Sequence, residues 1–260
     1  MSQPLYLVDA FAHRPFTGNP AAICPLEGPS DEAWMQSLAL EMNQPETAYF
    51  WPETDGYRLR WFTPEIEVDL CGHATLASAH ILWEVGLTQE SEIRFQTRSG
   101  TLVASRDGET IILDFPALSV TPLEGGPDLA PILGVAVKAS YISKFDLLVE
   151  GETEESVRQL TPDLRALAEL PYRGVIVTAP SSGDQDFVSR FFGPATGIPE
   201  DPVTGSAHCV LGPFWAAKTG RTKLTGYQAS KRGGWVGTEM VNDRVLLSGR
   251  AVTTLSGHLR

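Results

Sequence analysis

At 260 residues, with 42% apolar and 20% charged side chains, the chain is long enough for one large or two modest globular domains with a full core. A formal net charge of −12 argues against nucleic acid and anionic membrane surfaces as partners, because both demand a basic patch. Three cysteines without short-range spacing make no disulfide framework. MSQPLYLVDAF leads straight into a strand with no basic-then-apolar leader pattern, so a cytoplasmic protein with reduced thiols is the expectation.

Leu5–Phe11 reads as a strand, followed by a loop in which Gly18-Asn19-Pro20 is turn chemistry, and by the apolar run Ala21–Cys24. Ser30 is placed to cap a helix with Asp31 and Glu32 in its first turn, and Trp34, Leu38 and Met42 mark its buried face. Asn43-Gln44-Pro45 stops that helix, and Glu46 opens the next strand. Tyr57, Leu59 and Trp61 alternate with Arg58, Arg60 and Phe62 in a further strand that runs into a Pro loop. Gly72 then opens a helix that is apolar almost all round (Ala74, Leu76, Ala77, Ala79, Ile81, Leu82, Trp83, Val85), with Gly86 where a left-handed cap belongs. A helix without a polar face is a buried one, and at about 14 residues it is too short to span a bilayer. Cys71 and His73 stand at its N-terminus, where unpaired N–H groups and the helix dipole favour a small anion.

A strand over 92–98 and a hairpin turning at Asp107-Gly108 come next, then a Pro- and Gly-rich linker from Pro116 to about Pro131. Beyond it the pattern predicts a strand Tyr141–Val149, a helical region Glu154–Leu170, strands Val175–Thr178 and Phe187–Phe192, and a second buried helix after Gly205. A last strand, Arg250–Leu255, is placed to cross back and complete the first half.

The second half repeats the first. Arg190-Phe-Phe-Gly-Pro194 answers Arg60-Trp-Phe-Thr-Pro64 at an offset of 130, and Gly205-Ser-Ala-His208 answers Gly72-His-Ala-Thr75 at 133. Arg232-Gly-Gly234 follows Arg98-Ser-Gly100 at 134. Such a period is far longer than a solenoid unit, so it reads as two similar domains.

Glu46 is either an exposed loop carboxylate or a functional one; the exit of the corresponding helix, Pro171-Tyr-Arg-Gly174, carries no carboxylate, an asymmetry that structure alone does not require. Asp201, just before the second buried helix, either caps it or takes part in chemistry. His73 and His208 lie in the first turns of the two helices, as structural residues or as part of two helix mouths. Cys71 could be a thiolate lowered by its helix N-terminus, matched by Thr204 or Asp201 in the second copy. Ser206 lacks a nucleophile-elbow pattern. Cys71-Gly-His73 is too tight for a typical metal site, and there is no dinucleotide fingerprint or P-loop.

Val8-Asp-Ala-Phe11 with Gly18-Asn-Pro-Ala-Ala22, Asn43 with Glu46-Thr-Ala48, Arg60-Trp-Phe-Thr-Pro64, Leu70-Cys-Gly-His-Ala-Thr75, Glu200-Asp-Pro-Val-Thr-Gly-Ser-Ala207 and Ser230-Lys-Arg-Gly-Gly234 together resemble the PhzF-type family of phenazine-biosynthesis isomerases, over essentially the whole chain. The resemblance implies a diaminopimelate epimerase-like α+β fold: two pseudo-symmetric domains, each a mixed β-barrel wrapped around a central buried α-helix, with the site in the cleft between. The boundaries expected are 1–118, completed by a strand from 250–260, and 119–250. By the same resemblance Glu46 is the general acid/base of a cofactor-free isomerisation, and His73, Asp201 and Ser206 are its supporting polar residues. Gly72, Gly205, Gly233 and Gly234 bind the substrate carboxylate through backbone N–H groups. No metal is implied. The expected partner is a small, cyclic carboxylic acid, and the expected assembly a homodimer. The racemases of the wider fold use one thiol at each helix mouth; this chain keeps only Cys71, which argues against that chemistry, although a Cys71-based racemase and a non-catalytic small-molecule binder are the alternatives. Moving a proton between carbons needs a base of tuned pKa and donors for the developing enolate-like charge, and a glutamate in a closing apolar cleft is expected to have its pKa raised by desolvation.

Overall fold

The computed structural model describes residues 2–260 and divides the chain into two compact units: the N-terminal stretch through Phe115 together with Ser248–Arg260, and Pro116–Leu247. The first unit holds β1 (Gln3–Ala10), β2 (Asn19–Pro25), α1 (Glu32–Met42), β3 (Glu46–Glu53), β4 (Gly56–Phe62), β5 (Glu67–Val68), α2 (Gly72–Glu84), β6 (Glu92–Thr97), β7 (Gly100–Asp107) and β8 (Thr110–Pro116). β2 and β3 run parallel and need a crossover, which α1 supplies; β4 and β6 run parallel, and α2 is their crossover. The C-terminal strand Ala251–Leu259 pairs antiparallel with β1. α2 packs on β1, β2, β3, β7 and that C-terminal strand, so the sheet curls round the helix. His73–Ala79, Ile81 and Leu82 are buried; each fully buried Leu or Ile contributes roughly 2–3 kcal/mol. The outer face of the same sheet takes α1 through Met35, Leu38 and Ala39, which pack with Tyr49, Phe62, Ala22 and Cys24.

The second unit is built on the same plan: β9 (Thr121–Pro122), α3 (Ala130–Leu133), β10 (Val137–Ile142), β11 (Asp146–Gly151), α4 (Glu154–Arg158), α5 (Leu164–Ala168), β12 (Gly174–Pro180), β13 (Phe187–Gly193), β14 (Ile198–Asp201), α6 (Gly205–Thr219), β15 (Lys223–Gln228), β16 (Gly234–Val241) and β17 (Arg244–Gly249), with the C-terminal strand as β18. β11 and β12 are parallel across α4 and α5, and β13 and β15 are parallel across α6. Strand alternation serves two cores. Leu148 and Ile176 face α6, packing with Val210, Leu211, Phe214 and Trp215, while Leu147, Val149, Val175 and Val177 face Val157, Leu160 and Leu167 on the other side.

The duplication is visible at single residues. Arg60 is bidentate to Glu67 (2.6 and 2.6 Å) and lies over Phe62; Arg190 is bidentate to Glu200 (2.7 and 3.0 Å) and lies over Phe192. These pairs fix the alignment. Arg190 to Glu200 is three residues longer than Arg60 to Glu67, which matches the inserted 3₁₀ turn Pro194–Thr196. From the glutamates onward the offset is 133, so Cys71 corresponds to Thr204 and Asp201 corresponds to Val68.

Several local expectations are corrected. Asp31, not Ser30, caps α1, its Oδ1 accepting the Trp34 N–H at 2.9 Å. The buried stripe of α1 is Met35, Leu38 and Ala39, and Trp34 is largely outside it. Tyr141–Val149 is two strands, folded back where Ser143 Oγ accepts the Asp146 N–H. Thr161-Pro162 splits the expected helical region into α4 and α5. The 116–131 stretch is no free linker: Leu129 is buried in the second unit, and the Leu118 N–H donates to Cys209 O, the carbonyl that Pro213 frees within α6 by lacking an N–H.

Candidate active site

The mouth of α2 gathers the first group. Glu46 is the first residue of β3, set opposite Ala21 in the parallel ladder, and His73 is the second residue of α2. Glu46 Oε2 and His73 Nε2 are 3.1 Å apart, with side chains 14% and 7% exposed. Neither atom has an aligned hydrogen bond, so the contact is electrostatic, and two buried polar atoms stand ready for a partner. On the other edge of the ring, Nδ1 meets Asn19 Nδ2 at 3.2 Å and Cys71 Sγ at 3.5 Å. An amide N–H and a thiol S–H both donate, so for the neutral ring this network assigns the proton to Nε2, facing Glu46. Burial pulls the imidazole pKa down, but the facing Cys71 and Glu46 more than offset this and raise it well above the usual value. Burial, with Glu46 beside it, pushes the Cys71 thiol up to about 11, which corrects the expectation of a lowered thiolate: desolvation outweighs the helix N-terminus. α2 has no side-chain N-cap bond.

Asn19 reaches the ring through the preceding loop. Phe11 and Phe16 adopt left-handed backbone there, and Gly18 (φ 69°) passes so close to Ala10 that a Cβ would lie 2.1 Å from its carbonyl oxygen. Buried Asp9 holds the loop by accepting the Phe16 N–H at 2.7 Å.

The second group surrounds the mouth of α6. Asp201 Oδ2 accepts the Thr204 hydroxyl at 2.5 Å, and α6 also lacks a side-chain N-cap bond, so Asp201 does not cap it. Buried Gln228 accepts the Thr204 N–H (2.9 Å) and donates to Asp201 O (2.7 Å). Ser230 Oγ accepts the Gly233 N–H (3.0 Å) and donates to Pro202 O (2.8 Å), tying the Gly233-Gly234 turn to the approach to the helix. Gly233 (φ 67°) is required, since a Cβ there would lie 2.0 Å from Tyr227 Oη. Half-buried Ser206 accepts from Arg173 Nη2 at 3.0 Å, and Arg173 is bidentate to fully buried Asp146. The structure thus brings Glu46, Gly72 and His73 together in one unit, and Asp201, Gly205, Ser206, Gly233 and Gly234 in the other. Two surface cavities, about 700 Å³ beside Glu152–Gln159 and about 260 Å³ beside Arg58, Arg60 and Arg98, include none of these residues; the buried polar atoms locate the site better.

The chain matches the sequence profile of the phenazine biosynthesis-like proteins over residues 8–257. It belongs to that family. An uncharacterized isomerase of Halalkalibacterium halodurans is 49% identical, covering 100% of this chain and 99% of its own. A phenazine biosynthesis-like domain-containing protein of Homo sapiens is 35% identical with the same coverage. A solved PhzF-family structure from Enterococcus faecalis gives a TM-score of 0.97 at 43% identity over 100% of both chains. A hydroxyproline epimerase from Agrobacterium vitis shares the fold, with a TM-score of 0.62 at 10% identity over 99% and 92%. The fold is the α+β, diaminopimelate epimerase-like one, and this PhzF-family chain is an enzyme of the isomerase class. No helix among the described residues is long and apolar enough to cross a membrane.

Glu46, Cys71 and His73 offer donor atoms within 4.8 Å of one another. As placed, Cys71 faces Nδ1 and Glu46 faces Nε2. The sequence reading assigned no role to Asn19, Arg173, Asp146 or Gln228. Asn19 lies within Gly18–Ala22 and Arg173 within Pro171–Gly174, but their partners are 54 and 33 residues away in the chain, beyond any local pattern.

Proposed function

We propose that this PhzF-family enzyme is a cofactor-independent isomerase that moves a proton on a small, cyclic carboxylic acid, with Glu46 as general acid/base. The observation that carries this is the buried approach of Glu46 Oε2 to His73 Nε2 at 3.1 Å, with both atoms lacking an aligned hydrogen bond. Glu46 takes a proton from an activated carbon, and the C–H electron pair enters the adjoining π system. The resulting enolate-like charge meets the Nε2–H of His73 and the N–H groups of Gly72 and His73 at the start of α2. Glu46 then returns the proton to a different carbon. One proton leaves and one returns, nothing is oxidised or reduced, and no co-reactant is consumed. In the second unit Gly205, Ser206 and Gly234 offer N–H groups suited to a carboxylate, with Asp201 and the Ser230-held Gly233 shaping their approach. A thiol raised to about 11 is poorly suited to act as a base at neutral pH, which disfavours the Cys71 racemase reading.

The test is deuterium incorporation from D₂O into a panel of cyclic unsaturated carboxylic acids. The wild type is expected to label at least one acid. Glu46→Gln, nearly isosteric, should lower that rate by roughly 10²–10⁴-fold, whereas Cys71→Ser should keep most of it. Exchange that survives in Glu46→Gln would overturn the assignment.

A further inference from the structure

The two helix mouths carry opposite charge in corresponding places. In the first unit a carboxylate at the start of β3 meets the second residue of α2; in the second, a guanidinium immediately before β12 meets the second residue of α6. The ladders agree, because Glu46 lies opposite Ala21 in one parallel pair and Gly174, next to Arg173, lies opposite Asp146 in the other. Arg173 is exposed over 38% of its side chain, yet its guanidinium is held on several sides. Its Nε and Nη2 donate to Asp146 Oδ1 and Oδ2 at 2.9 and 2.6 Å, Asp146 is fully buried, and the guanidinium lies beside the rings of Phe145 and Phe191 at 5.4 and 5.8 Å. The remaining Nη2 hydrogen goes to Ser206 Oγ.

We infer that Arg173, clamped by Asp146, is a positioning residue that fixes Ser206 as a hydrogen-bond donor toward the anionic group of the substrate. A guanidinium has hydrogens and no acceptor, so Ser206 Oγ must be the acceptor in this pair. A serine hydroxyl otherwise rotates to accept or donate as its surroundings ask. With one of its two lone pairs held by Arg173, its hydrogen points away from the guanidinium, and a charged donor on the oxygen strengthens the outgoing bond. The Asp146 clamp keeps the guanidinium in place while its charge is largely balanced, so Arg173 polarises the hydroxyl instead of pairing with the ligand itself. This rests on the reading of Ser206 as a substrate-facing residue.

Benzoate serves as the anionic probe and methyl benzoate as its neutral counterpart, followed by calorimetry and by the amide resonances of Gly205 and Ser206. Wild type should bind benzoate with shifts at both amides and bind the ester at least tenfold more weakly. Arg173→Lys keeps a positive charge beside buried Asp146, and an unchanged Tm shows that the fold is intact. It should weaken benzoate roughly tenfold, Ser206→Ala should do the same, and the double variant should be no weaker than either, because both act through one hydroxyl. Additive losses, an unaffected Arg173→Lys, or no amide shift in wild type would each overturn the inference. Benzoate binding involves no proton transfer, so the cycle is read independently of the exchange reaction. A failed deuterium exchange with this cycle intact therefore removes the isomerase reading alone, and an intact exchange with a failed cycle removes the role of Arg173 alone.

Discussion

His208 is fully buried, and its Nδ1 lies 2.8 Å from Thr204 O, in the position that Thr75 occupies toward Cys71 O in the first unit (Oγ1 to O, 2.6 Å). In both copies a polar atom four residues on occupies the carbonyl of the N-cap residue, so this histidine is a structural group and not part of a helix mouth. Burial drives its pKa down to about 4, against 6.5 when exposed. Between those values the unfolded chain binds a proton that the folded chain does not. The stability from His208 is therefore complete above about pH 6.5 and is lost as pH falls toward 4, by roughly 3 kcal/mol. Urea unfolding at pH 7 and pH 4.5 should show that loss in the wild type, and His208→Gln should lose distinctly less over the same interval; equal losses would refute it. Glu46 and His73 stood out in the sequence because their motifs did. The direction of the Cys71 shift did not, because it depends on how completely the residue is buried, and composition is silent on that.

Elements were legible where periodicity was strong and one face decided the outcome. α2 and α6 read correctly as buried helices, since no polar stripe competed. α1 was found but rotated: Ser30 and Asp31 are both good caps, and choosing the later one shifts the stripe from Trp34 to Met35. Asp31→Ala should destabilise the protein by about 1 kcal/mol, read as a lowered urea midpoint, whereas Ser30→Ala should change it by less than half as much. The reverse order would restore Ser30 as the cap. Tyr141–Val149 misled because both faces of β11 are buried, so its apolar run continues without marking the turn at Ser143.

For the molecule as a whole the duplication was visible in the sequence, but its alignment became firm only through the Arg60–Glu67 and Arg190–Glu200 pairs. They show that Asp201, like Glu46, has no carboxylate counterpart in the other copy, so the halves share a scaffold and divide the polar groups between them. β18 joins the two ends of the chain, since Gln3 lies opposite Leu259 and Ala10 opposite Ala251. Ending the chain at Arg250 should leave β1 with an unpaired edge and lower the Tm by several degrees, with aggregation at raised concentration; an unchanged melting curve would show β18 to be dispensable. The order of synthesis gives this pairing a further meaning. The ribosome makes Pro116–Leu247 as one continuous run, free to fold while translation proceeds, whereas β1, made before that run, waits for β18, made after it, before its sheet is complete. The first unit is therefore completed later in synthesis than the second, and a chain ending at Arg250, once released from the ribosome, should protect Pro116–Leu247 from protease while the first unit is cut sooner.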